Sequence, residues 1–328
     1  MIRSLGAYYE FGLRDSAKAT EQFEKLVRLQ PNDGEAYHWL AIIQFGRGHF
    51  AEGLATRRMS TTLDPANARN VAEYVKVLIW VRRYDDAIAE SRRMMALRPS
   101  RSGDKHMLAV LQWRATGSRR ELEALLARQM ASEPDSPETM DIRKRMSLAL
   151  GDYPEFFRLD RLHPDIRTGE DFSPAWDPVD GGAIQAALAY LNQGDRDGAR
   201  ARLGKIPSTF RAQLELQPEN TAFLRRCAKV EAILGNKEEA LRLIEEAAKR
   251  TPEATSKFVG TNVSIYRTEV LAILGEKDRA LAELARLLRV PSDLNVHVMR
   301  NAPVYFQLRG DPRFEALLND PKNNAPLF

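Results

Sequence analysis

The sequence has very little cysteine and no long hydrophobic run. Cys227 is the single cysteine in 328 residues, so an intramolecular disulfide is excluded. It lies in an apolar helical pattern with Val230 and Ile233, which is typical of a small buried side chain. The most apolar stretch, residues 75–81, carries a lysine and is much shorter than the roughly 20 residues of a membrane span. Because the first residues also lack the apolar core of a signal peptide, we expect a cytoplasmic protein.

The sequence also lacks an excess of charge of either sign. It contains 49 Lys and Arg residues against 45 Asp and Glu residues, and both signs are mixed along the chain. Proteins that bind nucleic acid usually cluster basic residues on one face, so a nucleic-acid partner is disfavoured. A hydrophobic content of 44% with 29% charged residues is that of a folded chain and excludes a disordered one.

The residue patterns of common catalytic and metal sites are missing from the sequence. The five histidines and the one cysteine show no zinc-site spacing, and there is no phosphate-binding loop ending in Gly-Lys-Ser/Thr. Residues 195–198 resemble the start of a calcium loop, but Gly204 stands where the last ligand, a glutamate, is required. We therefore expect no catalytic residue, no metal and no cofactor, and hence a protein that is not an enzyme.

The strongest pattern that the sequence contains is a repeat of 34 residues. Three prolines with this spacing end similar blocks, at Pro31, Pro65 and Pro99. A small residue stands twelve positions before each of these prolines, at Ala19, Gly53 and Ala87. Repeats of this length indicate helix pairs that bury their apolar faces by stacking on one another.

The apolar spacing within each block predicts two helices. In the second block, Tyr37, Leu40 and Ala41 share one face of a helix over residues 34–45, and the glycines at 46 and 48 end it. A second helix is predicted over residues 51–63, because a proline at position 65 stops it. Beyond residue 99 we predict further pairs with irregular spacing and a short terminal helix over residues 312–318.

These blocks resemble the tetratricopeptide repeat (TPR) family. Its pattern of a large apolar residue, a Leu-Ala pair, a small residue and a closing proline is matched in order by Tyr37, Leu40, Ala41, Gly53 and Pro65. The first block matches if the turn at residues 11–15 holds one extra residue. The resemblance implies an all-α fold, a right-handed α-solenoid of antiparallel helix pairs, with about eight pairs and a C-terminal cap.

The same pattern predicts the organisation of the chain. We expect an N-terminal TPR array over residues 1–162, which is regular to residue 99, and a C-terminal TPR-like array over residues 183–290. Residues 163–182 are rich in proline and acidic residues and are predicted to form a long loop or joint. Residues 291–328 are predicted to cap the last repeat.

The resemblance also implies a binding groove lined by the first helix of each repeat. Counting the groove positions of the family from Gly34, Ala68 and Ser102 selects aromatic and cationic side chains. The candidate groove residues are His38, Phe45, Lys76, Trp80, His106, Trp113 and Arg114. Tryptophan and arginine are favoured at binding hot spots, and such a groove would suit a peptide with acidic and apolar character. The alternative, that Trp80 and Trp113 only pack between repeats, is equally open.

Two passages point to a narrower group. The first, residues 6–9, 12–15 and 29–32, and the second, residues 308–314, resemble the C-terminal TPR region of bacterial signalling proteins that carry a kinase, a cyclase or a winged-helix regulator. The expected function is a protein–protein interaction scaffold that binds a peptide or a partner protein. The alternative is a sensor or regulatory segment of a signalling protein, separated from its effector domain. The sequence does not define an oligomeric state.

Overall fold

A computed structural model describes residues 2–13, 15–97, 102–163 and 181–328, and the regular elements in these residues are all helices, with no strand among them. The three blocks with the 34-residue repeat each form a helix pair, as predicted. The first pair consists of α1 (Ile2–Ala7), which continues as a π-helix (Tyr8–Gly12), and α2 (Ser16–Leu29). The next two pairs are α3 (Gly34–Arg47) with α4 (Phe50–Leu63), and α5 (Ala68–Trp80) with α6 (Tyr84–Leu97).

Capping side chains and left-handed turn residues set the ends of these helices. Asp33 accepts hydrogen bonds from the first backbone N–H groups of α3, and Asn67 does the same for α5. Gly48 ends α3 with a φ of 86°, which favours glycine because it has no Cβ. Arg82 follows α5 at the equivalent position, 34 residues later, with a φ of 59°. The turn position of the repeat thus keeps its backbone conformation even where its residue type changes.

The extra residue predicted in the first block is accommodated by the π-helix. The backbone N–H of Leu13 donates to the carbonyl of Tyr8, five positions earlier, at 3.0 Å. A π-turn closes over one more residue than an α-turn, so the helix absorbs the insertion without breaking. The pair then packs normally, with Phe23 of α2 fully buried against Gly6, where a Cβ atom would lie 2.5 Å from the ring.

Five further pairs follow in the described residues. They are α7 (Ser102–Thr116) with α8 (Arg120–Ser132), α9 (Pro137–Leu150) with α10 (Tyr153–Leu162), α11 (Gly181–Asn192) with α12 (Arg196–Leu203), α14 (Thr221–Leu234) with α15 (Lys237–Arg250), and α16 (Lys257–Ile273) with α17 (Lys277–Leu287). Between the third and fourth of these pairs lies α13 (Ile206–Leu216), which the sequence pattern did not predict. The described residues therefore form an all-α helical repeat.

The last residues form shorter helices, as expected of a cap. They are α18 (Val296–Asn301), a 3₁₀-helix (Pro303–Leu308), α19 (Pro312–Asn319) and a second 3₁₀-helix (Pro321–Asn323). The short terminal helix predicted over residues 312–318 is thus confirmed. Phe314 is fully buried, and Leu318 is nearly so, which places the apolar face of α19 in the core.

The chain divides into two compact units. The first consists of Met1–Leu108, Pro252–Thr261 and Pro326–Phe328, and its parts are joined in one place by a hydrogen bond of 3.1 Å from the Leu327 N–H to the Val81 carbonyl. The second consists of Ala109–Thr251 and Asn262–Ala325, with a large apolar core that runs from α11 to α19. Most of the predicted joint, residues 164–180, lies outside the described residues, and the predicted domain boundaries stay a prediction.

Candidate functional site

The candidate site lies on one face of α5, in the first unit. Arg69, Glu73, Lys76 and Trp80 follow one another at intervals of four, three and four positions, so their side chains share one face of the helix. Arg69 and Lys76 are exposed, and Trp80 is partly exposed. At 1.5 Å per residue the row extends over about 16 Å. We call these four residues the α5 strip.

Polar contacts join the α5 strip to the preceding helix pair. Arg57 of α4 is only 3% exposed, and its Nη1 donates to Nδ1 of His38 on α3. Its Nη2 lies 3.8 Å from Oε2 of Glu73, whose other oxygen accepts a hydrogen bond of 2.8 Å from Nζ of Lys76. A buried cation and an exposed cation therefore share one carboxylate.

Burial lowers the pKa values of His38 and Arg57, the two residues that join the preceding helix pair to Glu73 of the strip. Burial, followed by the charge of Arg57, lowers the pKa of His38 to about 4, so its imidazole is neutral at neutral pH and can accept the hydrogen bond from Arg57. Burial also lowers the pKa of Arg57 to about 10, against the opposing effect of Glu73 and with a further contribution from Arg69. The Nε atom of Arg57 is buried and has no hydrogen-bond partner among the described residues.

An aromatic pair forms the other end of the strip. The rings of Trp80 and Phe258, which lies near the start of α16, have centroids 4.2 Å apart and are tilted by 36°. Phe258 is 45% exposed and the adjacent Val259 is 40% exposed, so the pair presents apolar surface to solvent. Lys257 lies against the turn at Gly48, where a Cβ atom would be 2.9 Å from its Cγ. The absence of a side chain at Gly48 thus leaves room for this segment.

The structure brings together His38, Lys76 and Trp80 from the predicted groove set, whereas the other four residues are buried. Phe45 is 6% exposed and packs near Gly53 and Phe50. His106 is 3% exposed. Trp113, in the second unit, is 5% exposed and belongs to an apolar cluster between helices. The packing alternative thus describes Trp113, while Trp80 is accessible to solvent.

Arg114, also predicted for the groove, stabilises the end of α7 in the second unit. Its Nη2 donates to the carbonyl of Asp293 at 2.6 Å, and the side chain is 3% exposed. The amides of Asn295 and Asn324 donate to the carbonyl of Arg114 at 2.9 and 3.1 Å. Carbonyls in the last turn of a helix have no partner within the helix, so these amides take that role. Such partners cannot be identified from local spacing, because they lie 179 to 210 positions away.

Sequence reasoning also missed four residues that shape the site, namely Arg57, Arg69, Glu73 and Phe258. Arg57 lies on the second helix of its pair, whereas the groove positions of the family lie on the first helix of each repeat. Phe258 comes from a distant segment of the chain, and Glu73 is acidic, whereas the predicted groove set holds only aromatic and cationic side chains. The spacing of Arg69, Glu73 and Lys76 along one helix face was the available signal.

Among the described residues, no group of three or more His, Cys, Asp and Glu side chains is arranged to hold a metal ion. Within the same ranges, no helix combines the length and the apolar character needed to cross a membrane.

Comparison with known proteins gives weak structural matches. No family model and no curated protein matches the sequence. Among solved structures, YrrB, a TPR protein with an unusual peptide-binding site, matches with 16% identity over 71% of this chain and 94% of its own, at a TM-score of 0.28. A chain of Naa15/Naa10 bound to HypK-THB matches with 14% identity over 98% of this chain, at a TM-score of 0.34, and this chain spans only 62% of its length. The P58(IPK) TPR domain matches with 13% identity over 98% of this chain and 96% of its own, at a TM-score of 0.30.

These scores are too low to support a conclusion about binding, and the class of protein is instead defined by the chain itself. Its first three helix pairs keep a 34-residue register, and small residues stand where the paired helices meet: Ala19 and Ala87 are fully buried, and Gly53 lies against Phe45. Stacked helix pairs of this kind define an α-helical repeat protein.

Proposed function

We propose that the protein is a protein–protein interaction scaffold and that the α5 strip binds a peptide segment of a partner. The observation that carries this proposal is the accessible pairing of a cationic end, at Lys76, with the half-exposed aromatic pair Trp80–Phe258. Tryptophan contributes strongly to binding when a partner covers it, because its large apolar surface loses contact with water.

The chemistry of the strip favours a peptide with acidic and apolar side chains. An apolar side chain of the peptide would cover Trp80 and Phe258, and an acidic one would approach Lys76 and Arg69. In this proposal His38, Lys76 and Trp80 form the binding surface, and the buried residues Phe45, His106, Trp113 and Arg114 act in packing. The alternative role, as a sensor segment of a bacterial signalling protein, stays a prediction from the sequence.

The proposal is tested by selecting peptides from a displayed library on the purified chain and measuring their affinity by fluorescence anisotropy. We expect the selected peptides to combine acidic and apolar residues. Trp80→Ala should weaken their binding at least about tenfold, since a hot spot contributes about 2 kcal/mol or more and tenfold corresponds to about 1.4 kcal/mol. Lys76→Gln should weaken it less and reduce its dependence on salt, because one screened charge interaction is lost.

Arg92→Gln, an exposed change on the second helix of the same pair, is the matched control and should leave the affinity unchanged. Far-UV circular dichroism of each variant checks that the helices persist. Peptides that bind the Trp80→Ala and Lys76→Gln variants as tightly as the unmodified chain would show that the strip is not the binding surface.

A further inference from the structure

The cationic end of the α5 strip carries more positive charge than its own carboxylate neutralises. Arg57, Arg69 and Lys76 face a single carboxylate, Glu73, which leaves a net charge of +2 because His38 is neutral at neutral pH. The nearest acidic residue on α3, Glu35, is paired with Arg3 at 2.6 Å. The net charge of +2 therefore lies where α3, α4 and α5 meet.

Two of the three cations are poorly satisfied by their surroundings. Arg57 is almost fully buried, and the only ion pair that it makes with the described residues lies at 3.8 Å, well beyond the ~2.8 Å of a charge-assisted hydrogen bond. Its Nε has no partner among the described residues. Arg69 makes no hydrogen bond or ion pair with the described residues and is exposed. A buried cation without a close anion is unfavourable, so a bound anion would stabilise this arrangement.

We propose that this end of the strip binds a phosphorylated side chain of the partner peptide; the inference rests on the proposed function. A phosphoryl group carries a charge of about −1.5 to −2 at neutral pH, which matches the surplus, whereas a carboxylate would leave half of it. Arg69 and Lys76 are placed to contact the group directly, and Arg57 stabilises it from beneath. Glu73, which accepts from Lys76 in the free chain, is an internal competitor that the phosphoryl group displaces.

The geometry also defines the spacing of the peptide motif. Glu73 and Trp80 are seven positions apart, which is about 10 Å along the helix axis. An extended peptide in the polyproline II conformation advances about 3.1 Å per residue and returns to the same face every three residues. The phosphorylated residue and the apolar residue are therefore expected three positions apart, in one chain direction or the other.

The test compares three synthetic peptides that differ at one position, which carries phosphoserine, glutamate or serine, with phenylalanine three positions away. A second set of three peptides places the phenylalanine three positions away on the other side of the variable residue. Binding to the full chain is followed by fluorescence anisotropy. We expect the phosphoserine peptide of one set to bind at least about tenfold more tightly than its glutamate counterpart, because two charged hydrogen bonds are gained.

Three variants give a signature that a purely structural role would not produce. Arg69→Gln and Lys76→Gln should each weaken binding of the phosphoserine peptide severalfold and leave the serine peptide unchanged. Glu73→Gln should strengthen binding of the phosphoserine peptide, because it removes the competing anion. Arg92→Gln is again the control.

The outcomes separate this inference from the proposed function. Equal affinities of the phosphoserine and glutamate peptides, with both weakened by Trp80→Ala, would overturn the phosphate site and leave the scaffold proposal intact. Weaker binding of the phosphoserine peptide to the Glu73→Gln variant would also overturn it. If the library selection yields no peptide that depends on Trp80, the proposed function itself fails.

Discussion

The guanidinium of Arg114 donates a hydrogen bond of 2.6 Å to the carbonyl of Asp293, which lies 179 positions later in the chain. The reverse contacts come from the amides of Asn295 and Asn324, which cover the carbonyl of Arg114. A residue that sequence spacing placed in a binding groove therefore ties the end of α7 to the segment before α18, within the second unit.

Replacing Arg114 by methionine, which keeps most of the apolar stem, should destabilise the chain by about 2–4 kcal/mol, because a buried charged hydrogen bond is lost and the Asp293 carbonyl loses its donor. The free energy of unfolding in urea measures the effect. Arg92→Gln should change it by less than about 0.5 kcal/mol. A stability of the Arg114→Met variant equal to that of the unmodified chain would show that this contact contributes nothing.

The turn glycines offer a way to separate backbone strain from side-chain contact. Gly48 has a φ of 86° and lies against Lys257, whereas Gly194 has a φ of 78° and open space where a Cβ atom would lie. Alanine at either position should cost about 1 kcal/mol, because a left-handed backbone disfavours a Cβ atom.

Gly48→Ala should cost more than Gly194→Ala, and the excess should disappear when Lys257 is also changed to alanine. Urea unfolding of the single and double variants forms the required thermodynamic cycle. If Gly48→Ala still costs more than Gly194→Ala when Lys257 is alanine, contact with the Lys257 side chain is not the cause.

The buried imidazole of His38 makes stability depend on pH. Its pKa is lowered from 6.5 to about 4, chiefly by burial, so between these values the unfolded chain binds a proton that the folded chain does not. The contribution of neutral His38 to the free energy of unfolding should therefore be fully present above pH 6.5. It should be lost as the pH decreases toward 4, by an amount on the order of 1–3 kcal/mol.

His38→Gln should flatten this decrease in a series of urea titrations. It should not remove it, because burial and the nearby charge of Arg300 also lower the pKa of His297. A slope between pH 6.5 and 4 that is the same with and without His38 would contradict the assignment.

Cys227 should be chemically inert in the folded chain. Burial, followed by the charge of Glu231, raises the pKa of its thiol to about 11, and the side chain is 2% exposed. Because the thiolate is the reactive species, a thiol reagent at neutral pH should label it only as fast as the chain unfolds. Stoichiometric labelling in urea is the control, and rapid labelling without urea would show that the site opens locally.

The helices were predictable wherever their signals are local. The proline and small-residue spacing located the first three pairs, and capping residues such as Asp33 and glycines such as Gly48 set ends within a few positions of those predicted. Helix α13 was missed because no repeat spacing marks it, although Gly204 ends the preceding helix and Pro207 follows the start of α13 at Ile206.

The candidate site was predictable only in part. Lys76 and Trp80 follow from repeat position alone, because one helix face is set by sequence spacing. The burial of Trp113 depends on side chains of other helices, including Val298, and the exposure of Trp80 depends on Phe258. Contacts between residues so far apart are decided by packing, which leaves no periodic signal in the sequence.

The first unit is built from three separate segments of the chain, and this has a consequence for its biosynthesis. Helices α1 to α6 can pair while they emerge from the ribosome, since their partners are neighbours in the sequence. The contact between Trp80 and Phe258 must wait for about 180 more residues, and the bond from Leu327 to Val81 for about 250, at a synthesis rate of about 5–20 residues per second. The aromatic end of the α5 strip is therefore incomplete in every nascent chain that stops before Phe258.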